Sequence, residues 1–131
     1  MKKCLIVDDS ATVRRIIRGM LETFGFSCDE AADGQIALDY CRKQLPDFIM
    51  LDWNMPVMSG IEFLRHLNQE EKSSDPVVIF CTTESDFSFI QEALSEGASE
   101  YVMKPFDKEV LGLKLVQLGL LDESAVMAAD N

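Results

Sequence analysis

Four short polar segments carry the side chains best suited to chemistry: Asp8-Asp9-Ser10, Asp52-Trp53-Asn54, Thr82-Thr83-Glu84 and Lys104-Pro105. Brought together, Asp8, Asp9 and Asp52 would repel one another and call for a cation. Their donors are hard oxygens, without His or Cys, which is the set preferred by Mg²⁺. A carboxylate beside Mg²⁺, an ammonium and a hydroxyl has the parts for phosphoryl transfer. The aspartate is the nucleophile, and the metal and lysine stabilise the equatorial oxygens of the transferring group.

Taken singly, each segment has a plainer explanation. An aspartate pair after a strand is most often a helix cap. An aspartate in a loop is a turn residue, a lysine before proline a solvated side chain, and two threonines ordinary strand-end hydroxyls. These explanations would have to coincide at four strand ends, and that is the argument for chemistry.

The elements that must position these segments are legible in the pattern. Short apolar runs at 4–7, 27–31, 48–51, 77–81 and 101–103 predict strands. Four are nearly continuous in apolar residues, as parallel strands covered on both faces are. The more polar 27–31 fits an edge. Amphipathic stretches at 11–24, 34–44, 60–68, 86–96 and 107–118 predict helices. Ser59 and Glu62 suit a capping box, Asp107 an N-cap and Gly97 a C-terminal cap. Alternating strands and helices predict an α/β domain: a doubly wound, five-stranded parallel sheet with helices on both faces. Ligands of such sheets bind at the carboxyl ends of the strands, where all four polar segments fall. Residues 1–119 read as this domain, and 120–131 as a short acidic, alanine-rich tail.

The composition excludes several functions. Asp and Glu number 23 against 12 Lys and Arg, for a net charge of −11. That argues against nucleic-acid or anionic-membrane binding, which needs a basic face. No apolar run reaches the roughly 20 residues of a membrane span, and the run after Lys3 is too short for a signal peptide. The four cysteines form no C-x-x-C pair and the only histidine is His66, so zinc and dithiol redox chemistry are disfavoured. Reduced thiols and a cytoplasmic location are the expectation.

Together, Asp8-Asp9-Ser10, Leu51-Asp52-Trp53-Asn54-Met55-Pro56 with Gly60, Thr82-Thr83, and Gly97-Ala98 with Lys104-Pro105-Phe106 resemble the receiver domain of two-component response regulators. The similarity covers residues 2–118 and is nearest the single-domain chemotaxis regulators of the CheY type. The resemblance implies a flavodoxin-like strand order, 2-1-3-4-5. It implies that Asp52 accepts a phosphoryl group from a phosphohistidine on a histidine kinase or histidine phosphotransferase. Asp9, Asp52 and the backbone carbonyl of Asn54 would ligate Mg²⁺, with Asp8 acting through a bound water. Lys104, the Thr82 hydroxyl and the Thr83 N–H would bind the phosphoryl oxygens, and Thr82 with Tyr101 would form the switch. Asn54 and Glu84 would tune hydrolysis toward a half-life of seconds to minutes.

The output surface implied is the fourth helix, fifth strand and last helix. Phe89 falls off the apolar face of the fourth helix. Val110, Leu111, Leu113, Leu115, Val116 and Leu118 cover too much of the last helix for one core stripe. This excess predicts a downstream partner or a homodimer. The chain is expected to act as a switch and not as a turnover enzyme. A phosphate sink would share every site residue. A small Mg²⁺-dependent aspartyl-phosphate phosphatase is disfavoured, because D-x-N follows the third strand and not the first.

Overall fold

The computed structural model describes residues 2–83 and 88–129. Its elements alternate as expected: β1 Lys3–Val7, α1 Ala11–Thr23, β2 Ser27–Ala31, α2 Gly34–Lys43, β3 Phe48–Asp52, α3 Gly60–Gln69, β4 Val77–Thr82, α4 Ile90–Ser95, β5 Glu100–Met103, α5 Lys108–Gln117 and α6 Glu123–Ala129. The strands form one parallel sheet in the order β2-β1-β3-β4-β5. The polar run 27–31 is an edge strand, as its composition predicted.

Local chemistry sets the helix starts. Ser10, Asp33, Ser59 and Asp107 each accept a hydrogen bond from the backbone N–H three residues on. Each thereby satisfies one of the orphan donors of a first turn. Glu62 returns the favour to the Ser59 N–H, completing the capping box. Gly97, at φ 102, follows α4 in the left-handed conformation that glycine adopts without penalty.

Successive strand residues point to opposite faces, so each strand feeds two cores. Leu5, Val7, Ile49, Leu51 and Phe80 pack under α2, α3 and α4 with Leu38, Phe63 and Ala93. Cys4, Ile6, Phe48, Met50 and Ile79 face α1 and α5 with Ile17, Leu21, Leu111 and Leu115. All four cysteines are free and buried, and burial pushes Cys28 and Cys41 up to about 11, leaving them as thiols at neutral pH. No helix among the described residues is long and apolar enough to cross a membrane.

Two expectations change. The fourth helix was expected over 86–96. Its helical core is only Ile90–Ser95, preceded by a 3₁₀ turn at 88–89; residues 84–87 lie outside the described residues. The expected tail instead contains α6, whose Val126 is buried. Gly112 of α5 makes this packing possible: a Cβ there would lie 2.9 Å from Phe24 and 3.2 Å from Val126. A segment of seven helical residues is too short to hold itself in water, and its packing on α5 supplies what periodicity could not reveal. Leu118, Leu120 and Leu121 also join the α1–α5 core, so part of the apolar excess of the last helix is covered within the chain.

Candidate functional site

Sheet register assembles the site. Val7 pairs with Leu51 and Asp52 with Cys81, while Thr82 pairs with Met103. The residues ending or following β1, β3, β4 and β5 therefore share one edge: Asp8, Asp52, Thr82 and Lys104. Carboxylate oxygens of Asp8, Asp9 and Asp52 all lie within 4.8 Å of one another. Lys104 Nζ donates to Asp8 Oδ2 at 2.8 Å and to Asp52 Oδ1 at 3.2 Å. Its backbone N–H is held by the Thr82 carbonyl at 2.6 Å, and the Lys104-Pro105 peptide is cis.

Asp8 is almost wholly buried, at 2% exposure, and both its oxygens are bonded, Oδ1 accepting from the Ser10 N–H at 2.9 Å. Asp9 is exposed and Asp52 half-buried. Three carboxylates facing one ammonium leave an excess of negative charge, and oxygen donors at this spacing fit Mg²⁺.

The electrostatics follow from burial. Loss of water pushes the Asp52 carboxyl up to about 6; the Lys104 ammonium opposes this, while the charges of Asp8 and Asp9 add to it. Lys104 pays a desolvation penalty, yet its hydrogen bond to Asp8 and the charges of Asp52 and Asp8 hold it above the usual lysine range. Without a metal, Asp52 thus titrates at about 6 and Lys104 stays charged.

Thr82 is buried, and its hydroxyl donates to the Thr83 carbonyl at 3.2 Å. Thr83 is exposed at the same edge, and Asn54 is exposed in the loop after β3. Tyr101 is half-buried in β5, its ring 5.4 Å from Lys114 Nζ. Glu84 lies outside the described residues.

Arg14 is a contributor that the sequence reading missed, while Gly60 and Trp53, both within the quoted motifs, gain their contacts from the fold. Arg14 donates from Nη1 to the Asp8 carbonyl at 2.7 Å. Gly60 abuts Asp52, for a Cβ there would meet the Asp52 carbonyl oxygen at 2.2 Å and Phe80 at 2.9 Å. Trp53 meets two rings: Phe80, 5.4 Å away and tilted 53°, and Phe89, 5.1 Å away and stacked at 16°. For the Trp53 stack, the departure of Phe89 from its helix's apolar face was a signal in the sequence.

The loop between Asp52 and Gly60 is tightly wound. The Met58 N–H donates to the Pro56 carbonyl at 2.7 Å, closing a three-residue turn over Val57 at φ 68. The Gly60 N–H then returns to the Trp53 carbonyl at 3.0 Å. This loop sets where the Asn54 backbone stands relative to Asp52.

Comparison with known proteins agrees with this geometry. The chemotaxis protein CheY of Pseudomonas aeruginosa is 41% identical over 117 residues, covering 88% of this chain and 94% of that protein. CheY-3 of Vibrio cholerae is 40% identical over 114 residues, covering 86% of this chain and 88% of that protein. The solved structure of CheY4 from Vibrio cholerae superposes with a TM-score of 0.81 at 36% identity, covering 90% of this chain and 98% of that one. The family model for the response regulator receiver domain matches residues 4–116. With the parallel 2-1-3-4-5 sheet and the acidic edge beneath Lys104, these matches establish that the chain belongs to the response regulator receiver domain family, as a CheY-like member.

Proposed function

We propose that this chain is a cytoplasmic receiver that accepts a phosphoryl group on Asp52 from a phosphohistidine of a histidine kinase or phosphotransferase. The observation that carries the proposal is the Lys104 ammonium bridging Asp8 and Asp52 above the acidic cluster. An Asp52 oxygen attacks phosphorus as the phosphorus–nitrogen bond of the donor breaks, and the imidazole leaves with the bond's electrons. Asp8, Asp9, Asp52 and the Asn54 carbonyl are the groups that would hold Mg²⁺. When bound, that ion supplies neutralisation of the charge on the transferring phosphoryl group.

Lys104, already charged and held by Asp8, is preorganised to pair with a phosphoryl oxygen. Thr82 would exchange its bond to the Thr83 carbonyl for one to the phosphoryl group, with the Thr83 N–H binding another oxygen. The phosphoryl group adds about −1.5 to −2 charge and strong acceptors. Its reward for inward Thr82 and Lys104 positions shifts the population of the α4–β5–α5 segment, with Tyr101 following Thr82 inward. Phe89, Leu94, Met103, Val110 and Leu113 remain exposed on that side, supporting a downstream partner or a second copy there. The relatives' chemotaxis names support a place in that signalling. The chain is a switch and not a turnover enzyme, with Asn54 and Glu84 setting a phosphate lifetime on the order of seconds to minutes.

Incubation with a small acyl phosphate and Mg²⁺, read by intact mass, tests the proposal. One added phosphate is expected on the wild type and none on Asp52→Asn. An adduct that persists in Asp52→Asn, or none from either a small donor or a phosphohistidine protein, overturns it.

A further inference from the structure

The stack of Trp53 on Phe89 joins the loop after β3 to the start of α4. Trp53 follows Asp52 directly, so a turn of the Asp52 peptide moves the root of the indole. Its two ring partners differ in how firmly they are held. Phe80 is fully buried in β4. Phe89 is 42% exposed and caps α4, a helix of six residues that buries Ile90 and Ala93. Other described ties of α4 and its C-cap run to α3: Arg65 pairs with Glu92 at 2.6 Å and Glu96 at 3.1 Å, and Asn68 Nδ2 donates to the Glu96 carbonyl at 2.5 Å. Exposed ion pairs of this kind hold weakly. An aromatic stack contributes more than such a pair and depends on ring geometry, so it senses small rotations.

We infer that Phe89 is a positioning residue: its stack on Trp53 couples occupancy of the Asp52 site to the placement of the α4 N-terminus. The coupling is a second connection between site and helix, separate from the Thr82–Tyr101 movement and running through the loop after β3. It rests on the proposed phosphoacceptor role of Asp52. Coupling between two positions is reciprocal, so altering Phe89 must alter ion binding at the acidic cluster.

Trp53 is the only tryptophan, so its emission reads the stack directly. Wild type, Phe89→Leu and Phe89→Tyr would each be titrated with Mg²⁺, then phosphorylated with an acyl phosphate while intact mass counts the adduct. Phe89 is partly exposed, so both variants are expected to fold. At equal adduct, Phe89→Leu should lose at least half of the Trp53 emission change. Its Mg²⁺ midpoint should move by about two- to tenfold, the range of one aromatic pair. Phe89→Tyr should restore both. An unchanged amplitude and midpoint in Phe89→Leu, with the adduct formed, overturns the coupling alone. No adduct and no Mg²⁺ response in the wild type overturns the phosphoacceptor role and the coupling with it.

Discussion

Gly60 stands against the backbone of Asp52 so closely that a Cβ would lie 2.2 Å from the Asp52 carbonyl oxygen. No real Cβ tolerates that separation, so a side chain there must push the end of β3 or the start of α3 aside. Gly60→Ala is therefore expected to destabilise the fold by about 1–3 kcal/mol, the usual cost of overpacking. It should also slow phosphorylation, because the displaced atoms belong to the acceptor residue. Urea unfolding and the intact-mass assay check the two effects. Wild-type stability in Gly60→Ala would contradict the contact.

Burial raises Asp52 to about 6, above the ordinary carboxylate value. The native state then binds more protons than the unfolded chain between about pH 4 and 6, so stability falls as pH rises through that window. Above it the charged Asp52 is a standing cost in metal-free protein. Asp52→Asn should flatten this slope and stabilise the metal-free protein at neutral pH by about 1–3 kcal/mol. Denaturant midpoints measured in chelator across that pH range decide it; an identical slope in the variant would refute the assignment.

Lys104 is the cation that the described structure sets between Asp8 and Asp52. Lys104→Met leaves those carboxylates facing each other in a partly buried site. A loss of about 2–4 kcal/mol is expected in chelator, somewhat below the cost of breaking a fully buried pair. Mg²⁺ should recover much of it, since a ligand that binds only the folded state stabilises it, by about 2.7 kcal/mol at a hundredfold excess over Kd. Thermal melts with and without Mg²⁺ provide the measurement, with Asp9→Asn as the variant whose response to the ion should weaken.

Val57 holds φ at 68 and is 80% exposed. A β-branched residue pays for that conformation without gaining any burial. Val57→Asn, which enters the left-handed region more easily, should stabilise the domain by about 1 kcal/mol. An unchanged or lower urea midpoint would show that the turn is not strained in solution.

The strands, five main helices and parallel architecture were legible because their signals are local. Apolar runs such as 48–51 and caps such as Ser59 and Asp107 act within a few residues of themselves. The strand-end positions of Asp8, Asp52, Thr82 and Lys104 followed from the same pattern, since parallel strands must align their carboxyl ends. The contacts that join residues far apart were decided by the tertiary structure alone. The 2.8 Å bond from Lys104 to Asp8, the Arg14 hold on the Asp8 carbonyl and the stack of Phe89 on Trp53 depend on register and helix placement. So does α6, whose seven residues have no helical stability of their own and form where Gly112 leaves room for Val126. Sequence alone determined which side chains reach the sheet edge. Packing across the two cores decided how close they come, and closeness sets their charge, strain and coupling.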